Sequence, residues 1–418
     1  MIDVAILRDD PDTLVAALER RGVELDVGAL VALDEERRSV RSGAEELRAQ
    51  QKESGKAIAG LEGAEKETAI AEAGELSDRY KESLAGADAL DDEFMATWET
   101  IPNLADPTAA DGVSEEDSVE ISRWGEPPGF VFEVQDHVDL GTGLGVVDIE
   151  RATKMSGSRF GIIKGRLAML EFALVQWTMN ELAGHGFEAV VPPVMVREHA
   201  LFGTGFFPGD REQVYSVQED ELFLVGTSEV ALAAMHGDEF LEVGDGPIRY
   251  AGFSTCFRVE AGTYGKDTRG LFRLHQFDKV EMFSFAHPDA SADEHEFLLA
   301  REEALVQALD IPYRVVNVAV GDLGASAAKK YDIEAWFPGQ DGYREITSTS
   351  NTTDYQARRL KIRFKDEDGS TRFVHTLNGT AVAIGRTLIA IMENFQAGDG
   401  TIVVPEVLRP YAGFDVID

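Results

Sequence analysis

The run Phe257-Arg258-Val259-Glu260, followed across a loop holding Gly262, Gly265 and Gly270 by Arg273-Leu274-His275-Gln276-Phe277-Asp278-Lys279-Val280-Glu281, decides the fold class. Its alternation predicts two strands, over 248–260 and 272–285, joined as a long β-hairpin. Consecutive antiparallel strands with helices inserted between them favour an α+β fold over a parallel, doubly wound sheet. Successive side chains on a strand point to opposite faces, so Arg258 and Glu260 share one face. Arg273, His275, Phe277, Lys279 and Glu281 share one face of the partner. If both faces look into one cleft, its two guanidiniums suit a polyphosphate, because the planar fork makes paired bonds to phosphate oxygens, and its ring could stack a base. The same alternation also fits salt-bridging on an exposed sheet face.

Working outward, Thr376-Leu377-Asn378-Gly379-Thr380 precedes a helix-like run through Leu388, Ile391 and Gln396, with Arg386 in its first turns. A cation near a helix N-terminus opposes the macrodipole, and a bound phosphate would supply the reason for it. Upstream, Leu167, Leu170, Leu174, Trp177 and Leu182 mark an amphipathic helix stopped by Gly184 and Gly186, and Val190-Val191-Pro192-Pro193-Val194 reads as a strand.

The composition shifts near residue 102. Residues 30–101 contain no Pro and are rich in Ala, Glu, Leu and Arg, as long exposed helices are. Tyr80, Leu84, Ala87, Asp91, Phe94, Trp98 and Ile101 form a heptad seam with one polar interruption. Leu33, Val40, Ala44, Leu47, Ile58 and Leu61 form a weaker one, and Gly60 and Gly63 separate the two. This predicts an antiparallel helical hairpin projecting roughly 45 to 50 Å, on a small helical base that starts at Asp10-Pro11. Arg37, Arg41, Arg48, Lys52 and Lys56 fall within about a 100° sector of the first helix. They read either as a solvated face laced with Glu pairs or as a stripe for RNA phosphates. The Pro-, Asp- and Glu-rich stretch from 102 to about 128 reads as a linker.

The chain carries 39 Lys and Arg against 76 Asp and Glu, a net charge of −37. That argues against general affinity for phosphate backbones or anionic membranes, so any nucleic-acid contact must be local. A lone cysteine, Cys256, excludes an internal disulfide and a cysteine-cluster zinc site, and points to a reducing compartment. With no long apolar stretch at the start and no 18-residue apolar run elsewhere, the chain reads as soluble, cytoplasmic and without a membrane partner. Gly141-Thr142-Gly143-Leu144-Gly145 lacks G-x-G-x-x-G spacing, no Walker A loop occurs, and Lys154-Met155-Ser156-Gly157-Ser158 lacks the second Lys of a KMSKS loop.

Taken together the motifs resemble those of the bacterial-type seryl-tRNA synthetases, a class II aminoacyl-tRNA synthetase family. Gly186-Phe187 through Pro192-Pro193 resembles motif 1, the dimer element. Phe257 to Glu260 with Arg273 to Glu281 resembles motif 2, and Gly385-Arg386-Thr387-Leu388 through Glu393-Asn394 resembles motif 3. The seryl assignment rests on Thr227-Ser228-Glu229, Glu345-Ile346-Thr347-Ser348, Gln356-Ala357-Arg358-Arg359 and the N-terminal arm, and the likeness runs on to Val404-Pro405-Glu406-Val407-Leu408-Arg409-Pro410-Tyr411.

The resemblance implies a tRNA-binding domain at 1–110, with its arm at about 30–101, and a catalytic domain at 111–418 built on an antiparallel sheet flanked by helices. It implies a homodimer that uses ATP and Mg²⁺, and no zinc, to activate L-serine and transfer it to tRNA(Ser), and also to tRNA(Sec). Arg258 and Arg386 would be catalytic, Arg258 on the α-phosphate and Arg386 on the γ-phosphate. The ATP set is Arg258, Val259, Glu260, Arg273, Leu274, Phe277, Glu345, Ile346, Thr347, Ser348 and Arg386, with Glu260 reading the adenine amino group and Phe277 stacking. Glu345 and Ser348 would also hold the metal. Residues three apart on a strand face opposite ways, so that joint role requires a bend or bulge. Serine would be read by Thr227, Ser228, Glu229, Arg258, Glu281 and Thr380, the last standing where many members carry Ser. The arm's basic stripe would meet the tRNA's long variable arm. Two other readings stay open: a paralogue serving a specialised or self-resistance pathway, and a non-catalytic RNA-binding scaffold.

Overall fold

The computed structural model describes residues 1–217, 219–261 and 270–418; Gly262 and Gly265 lie outside them. The chain forms two compact units, Asp3–Ile101 and Met1–Ile2 with Pro102–Asp418. In the first, Asp10 caps α1 (Pro11–Arg20) by accepting the Thr13 N–H, with Pro11 in the first turn where a missing donor costs nothing. Asp26 caps α2 (Val27–Ile58) in the same way through Ala29, and α3 (Gly63–Trp98) returns beside it.

The return seam buries Ala87, Phe94, Trp98 and Ile101 as its spacing predicts. On α2 the register differs from expectation. Leu30, Asp34, Arg37, Arg41 and Ala44, again at alternating 4,3 spacing, face the partner helix, and Leu33, Val40 and Leu47 flank them half-buried. Three seam positions are charged, which hides the heptad from a search for apolar residues. The charges satisfy one another: Asp34 accepts from Arg8, Arg37 and Arg38, and Asp91 accepts from Arg37 at 3.1 Å and from Arg41. Arg37 also lies 3.9 Å from the centre of the Phe94 ring. Burial would raise the Asp34 carboxyl, but hydrogen bonds from Arg8 and Arg37 hold it down at about 2.

The second unit is built on an eight-stranded sheet: β1 (Val119–Trp124), β2 (Glu188–Val190), β3 (Ile248–Phe257), β4 (Gln276–Ala286), β5 (Tyr313–Asn317), β6 (Lys329–Phe337), β7 (Gly342–Asn351) and β8 (His375–Ala383). The spatial order is β1-β5-β6-β7-β8-β4-β3-β2, antiparallel throughout except for β2 beside β3. The inserted helices include α4 (His137–Gly143), α5 (Arg166–Gly184), α6 (Glu229–Ala234), α7 (Ser291–Ala308), α8 (Tyr355–Leu360) and α9 (Ile384–Asn394). This is an α+β fold with its helices packed on a mainly antiparallel sheet.

Two expectations fail here. The stretch 102–128 is no linker: β1 forms the sheet edge against β5, and the Asn103 amide donates to the carbonyls of Ser326 and Thr352. An edge strand tolerates exposed charge, so its composition passes for a linker's. The strand expected over 190–194 is split, because Pro192 and Pro193 have no N–H for a ladder. β2 ends at Val190, and a separate strand starts at Met195.

Alternation along β4 positions the site. Val280 and Met282 enter a core with Leu170 and Leu174 of α5, Leu298 of α7 and Leu388 of α9, while Phe283 and Phe285 pack with Leu232 of α6 and Ala357 of α8. Phe277, Lys279 and Glu281 are left facing a cleft. No helix among the described residues is long and apolar enough to cross a membrane.

Candidate active site

The cleft encloses about 190 Å³. Its floor comes from Phe277, Lys279 and Glu281 of β4, residues 345 to 348 of β7, and Asn378 and Thr380 of β8. β7 and β8 pair only as far as Thr349 opposite Gly379; beyond that the strands part and the cleft opens between them. Thr227, Glu229, Arg258, Glu260, Arg273, Leu274 and Arg386 complete the walls. Of the residues expected at the site, Ser228 and Val259 stand outside it. The Ser228 side chain is buried and donates to the Gly252 carbonyl, and the Val259 N–H donates to the Gln213 carbonyl.

The hairpin ladder ends at Phe257 opposite Gln276, so Arg258, Glu260, Arg273 and His275 lie beyond the strands expected to carry them. The Arg258 N–H still donates to the His275 carbonyl at 3.0 Å, but the His275 N–H donates to the Arg159 carbonyl instead, and Glu260 adopts φ +54° and ends the alternation. His275 turns away to pack on Phe160 and Tyr215. Glu260 nevertheless faces the cleft, where its Oε2 accepts from Arg273 Nη1 at 2.7 Å. Arg258 lies 5.3 Å from the Phe277 ring centre and donates through Nε to the Gly226 carbonyl.

The bend required of Glu345 and Ser348 is present. The ladder pairs Glu345 with Glu334 and Thr347 with Ile333, an irregularity of one residue that lets Glu345 and Ser348 border the same cleft. Arg386, in the first turn of α9, donates to the Glu345 carbonyl at 2.9 Å and lies 3.2 Å from its Oε2. Burial would raise the Glu345 carboxyl; Arg386 and Lys330 draw it down to about 2, so it is ionised at neutral pH. A carboxylate and a hydroxyl as the protein's oxygens suit a hard divalent cation that keeps water and phosphate ligands. No cluster of three His, Cys, Asp or Glu side chains able to hold a metal occurs among the described residues.

Elsewhere in the lining, Thr380 stands directly across the ladder from Glu281, and its hydroxyl donates to Glu281 Oε2 at 3.4 Å. Lys279 pairs with the same carboxylate oxygen. Glu229 Oε1 accepts from Gln356 Nε2 at 2.7 Å and from Asn378 Nδ2 at 3.1 Å. Burial and the charge of Glu281 push the Glu229 carboxyl up to about 7, against the hydrogen bond from Gln356. Sequence reasoning left Lys279, Asn378 and Gln356 out of the site. Lys279 follows from period-2 spacing between Phe277 and Glu281, and Asn378 from its place two residues before Thr380. The cleft thus combines guanidinium groups able to hold phosphates with carboxyl and hydroxyl groups able to hold a small ammonium compound.

The tRNA synthetase class II core domain (G, H, P, S and T) matches residues 213–395, and the seryl-tRNA synthetase N-terminal domain matches residues 1–105. The chain is 50% identical to the serine--tRNA ligase of Acidothermus cellulolyticus and 47% identical to that of Thermobifida fusca, each over 418 residues, covering 100% of this chain and 99% of the relative. Seryl-tRNA synthetase from Pyrococcus horikoshii, solved in complex with ATP, superposes with a TM-score of 0.92 at 39% identity. The cytoplasmic serine-tRNA ligase of Naegleria fowleri, in complex with AMP, superposes with 0.88 at 31%; both matches cover 100% of this chain and 99% of the other. Full-length likeness of this degree, with both component domains matched in order, places the chain in the seryl-tRNA synthetase family.

Proposed function

We propose that this protein activates L-serine with ATP as seryl-adenylate and transfers it to the 3′ end of tRNA(Ser). The observation that carries the reading is a single cleft lined both by Arg258, Arg273 and Arg386 and by Glu229, Glu281 and Thr380. Family membership and the ATP- and AMP-bound relatives support it. A scaffold has no need of that charge arrangement, and nothing in it favours a non-tRNA acceptor.

Serine's carboxylate is ionised at neutral pH and attacks the α-phosphorus without a protein base; the bond to the β-phosphate oxygen breaks and pyrophosphate leaves. The chain's task is alignment and electrostatics. Arg258 holds the α-phosphate and the serine carboxylate, and Arg273 and Arg386 hold the phosphate tail. Phe277 and Leu274 flank the adenine, and Glu260 accepts its amino group. Thr227 and Glu229 hold the serine ammonium, and Glu281 and Thr380 bind its hydroxyl. Mg²⁺ would be held by Glu345 and Ser348 and would supply charge neutralisation of the phosphates. The terminal ribose 3′-hydroxyl of tRNA then attacks the seryl carbonyl, and AMP leaves.

A homodimer is supported by apolar side chains in and around the segment resembling motif 1: Val191 within it, Met195 just beyond it, and Met169 and Phe172 on the preceding helix α5 are 49 to 79% exposed in the single chain. Arg48 and Lys52, exposed on α2, are the basic residues best placed to meet tRNA phosphates. The setting proposed is the cytoplasm. Serine-dependent exchange of pyrophosphate into ATP, followed by charging of tRNA, tests the whole reading. Exchange without charging would favour the specialised paralogue, and no exchange with any amino acid would overturn the assignment.

A further inference from the structure

We infer that His137 is a positioning residue that locks one wall of the nucleotide cleft to the helix carrying Arg386. The inference rests on reading this cleft as the ATP site. The wall is the return from the glycine-rich loop, Leu271 to Leu274, which borders the cleft beside Phe277. Its first N–H, that of Leu271, donates to His137 Nε2 at 3.2 Å. An N–H can donate only to an unprotonated ring nitrogen, so Nε2 bears the lone pair and Nδ1 the proton. Nδ1 lies 2.9 Å from Glu393 Oε1 and donates to it. Glu393 is the tenth residue of α9 and Arg386 the third, two turns apart along one helix.

Both oxygens of that carboxylate are engaged. Oε1 also takes the His137 N–H at 3.1 Å, and Oε2 takes the Gly339 N–H at 2.9 Å. Glu393 is wholly buried and His137 is 5% exposed, so losing one of these bonds would strand a buried polar group. The backbone is shaped around the contact. Gly270 has φ +88°, and a Cβ there would fall 2.2 Å from His137 Nε2; one at Gly339 would fall 2.9 Å from Glu393 Oε2. Gln396 ties down the residue two before His137 by exchanging bonds with the Gln135 N–H and carbonyl. The chain Leu271, His137, Glu393 therefore fixes the return wall relative to α9. Phe272, next in that wall, lies 4.8 Å beneath the Arg386 guanidinium.

The test measures KM for ATP and for serine in pyrophosphate exchange, with thermal unfolding of each variant. His137→Gln places an amide oxygen where Nε2 stands and should keep KM for ATP within about twofold of wild type. His137→Phe fills the space without an acceptor. His137→Asn keeps a donor toward Glu393 but cannot reach Leu271, and it serves if the Phe variant does not fold. Either should raise KM for ATP about tenfold with KM for serine unchanged, the cost of one buried N–H left unpaired. Equal KM for ATP in the Gln variant and in the Phe or Asn variant would overturn the proposal. Arg386→Ala is the control on the site itself. If it leaves ATP use unchanged, the cleft reading fails; if it impairs ATP use while the His137 variants do not, only this inference fails.

Discussion

Arg386 and Glu345 hold each other in the wall of the cleft, guanidinium Nη1 to carboxylate Oε2 at 3.2 Å and to the Glu345 carbonyl at 2.9 Å. Each is proposed to serve a different part of the nucleotide, the arginine the γ-phosphate and the carboxylate the metal, so the pair preorganises both without ligand. Arg386→Ala should lower the exchange rate by on the order of 10² to 10³, the usual cost of removing one preorganised charge from a phosphoryl-transfer site. Arg386→Lys should recover only part, because a point charge does not reproduce the planar fork. Steady-state exchange kinetics with ATP and serine varied separately check both.

Glu229 sets a pH dependence for serine. Its carboxyl, raised to about 7 by burial and by Glu281, is protonated below that pH and then offers an ammonium ion no charge. KM for serine should therefore rise as pH falls from 8 to 6, by at most about tenfold per unit below the transition. Glu229→Gln should show a high KM that stays flat across the same range. A wild-type KM for serine independent of pH would refute the proposed ammonium contact.

The face of β4 is legible in the sequence because strand geometry is strictly periodic: Phe277, Lys279 and Glu281 follow from spacing alone. What escapes is where the period breaks. The left-handed backbone at Glu260 shifts one residue unannounced by any side-chain pattern, and the bulge between Glu345 and Thr347 is required only by the joint role that the resemblance implies. The α2 seam is obscured for the opposite reason, since its period is intact but Asp34, Arg37 and Arg41 occupy it. Burial of charge in paired form is invisible to any scan that equates interior with apolar. The edge strand Val119–Trp124 is hidden because its one short alternating run, Val119 to Ser122, sits in a stretch whose Pro-, Asp- and Glu-rich composition reads as a linker.

Glu302 of α7 makes a prediction about stability. It is fully buried behind the cleft, accepts the Thr347 hydroxyl at 3.1 Å, and its carboxyl is pushed well up by burial. The folded state therefore favours the proton more than the unfolded chain does. The destabilisation this causes is absent below the unfolded value near 4.3, grows as pH rises through it, and levels off above the folded value. Glu302→Gln removes the ionisation, so it should gain on wild type by about 1.4 kcal/mol per pH unit across that window. Urea unfolding at pH 5, 6.5 and 8 reads the gap; a constant difference would mean that Glu302 is ionised in the fold.

The five basic residues of the α2 stripe divide by structure, and so should their effects. Arg37 and Arg41 close the seam on Asp34, Asp88 and Asp91, so Arg37→Ala leaves buried Asp34 short of a partner. It should lower the melting temperature of the arm unit more than it changes tRNA affinity at permissive temperature. Lys56 is exposed and paired with Glu53 at 2.9 Å, an ion pair of little energetic consequence. Arg48 and Lys52 remain as exposed cations on an otherwise acidic protein. Replacing both with Ala should leave serine-dependent exchange within about twofold of wild type, because the chemistry lies in the other unit. It should weaken tRNA(Ser) binding and reduce the slope of log affinity against log salt by about 1 to 2, one increment for each phosphate no longer neutralised. If affinity falls while the slope stays fixed, the two side chains do not meet phosphates, and the arm must recognise tRNA by uncharged groups.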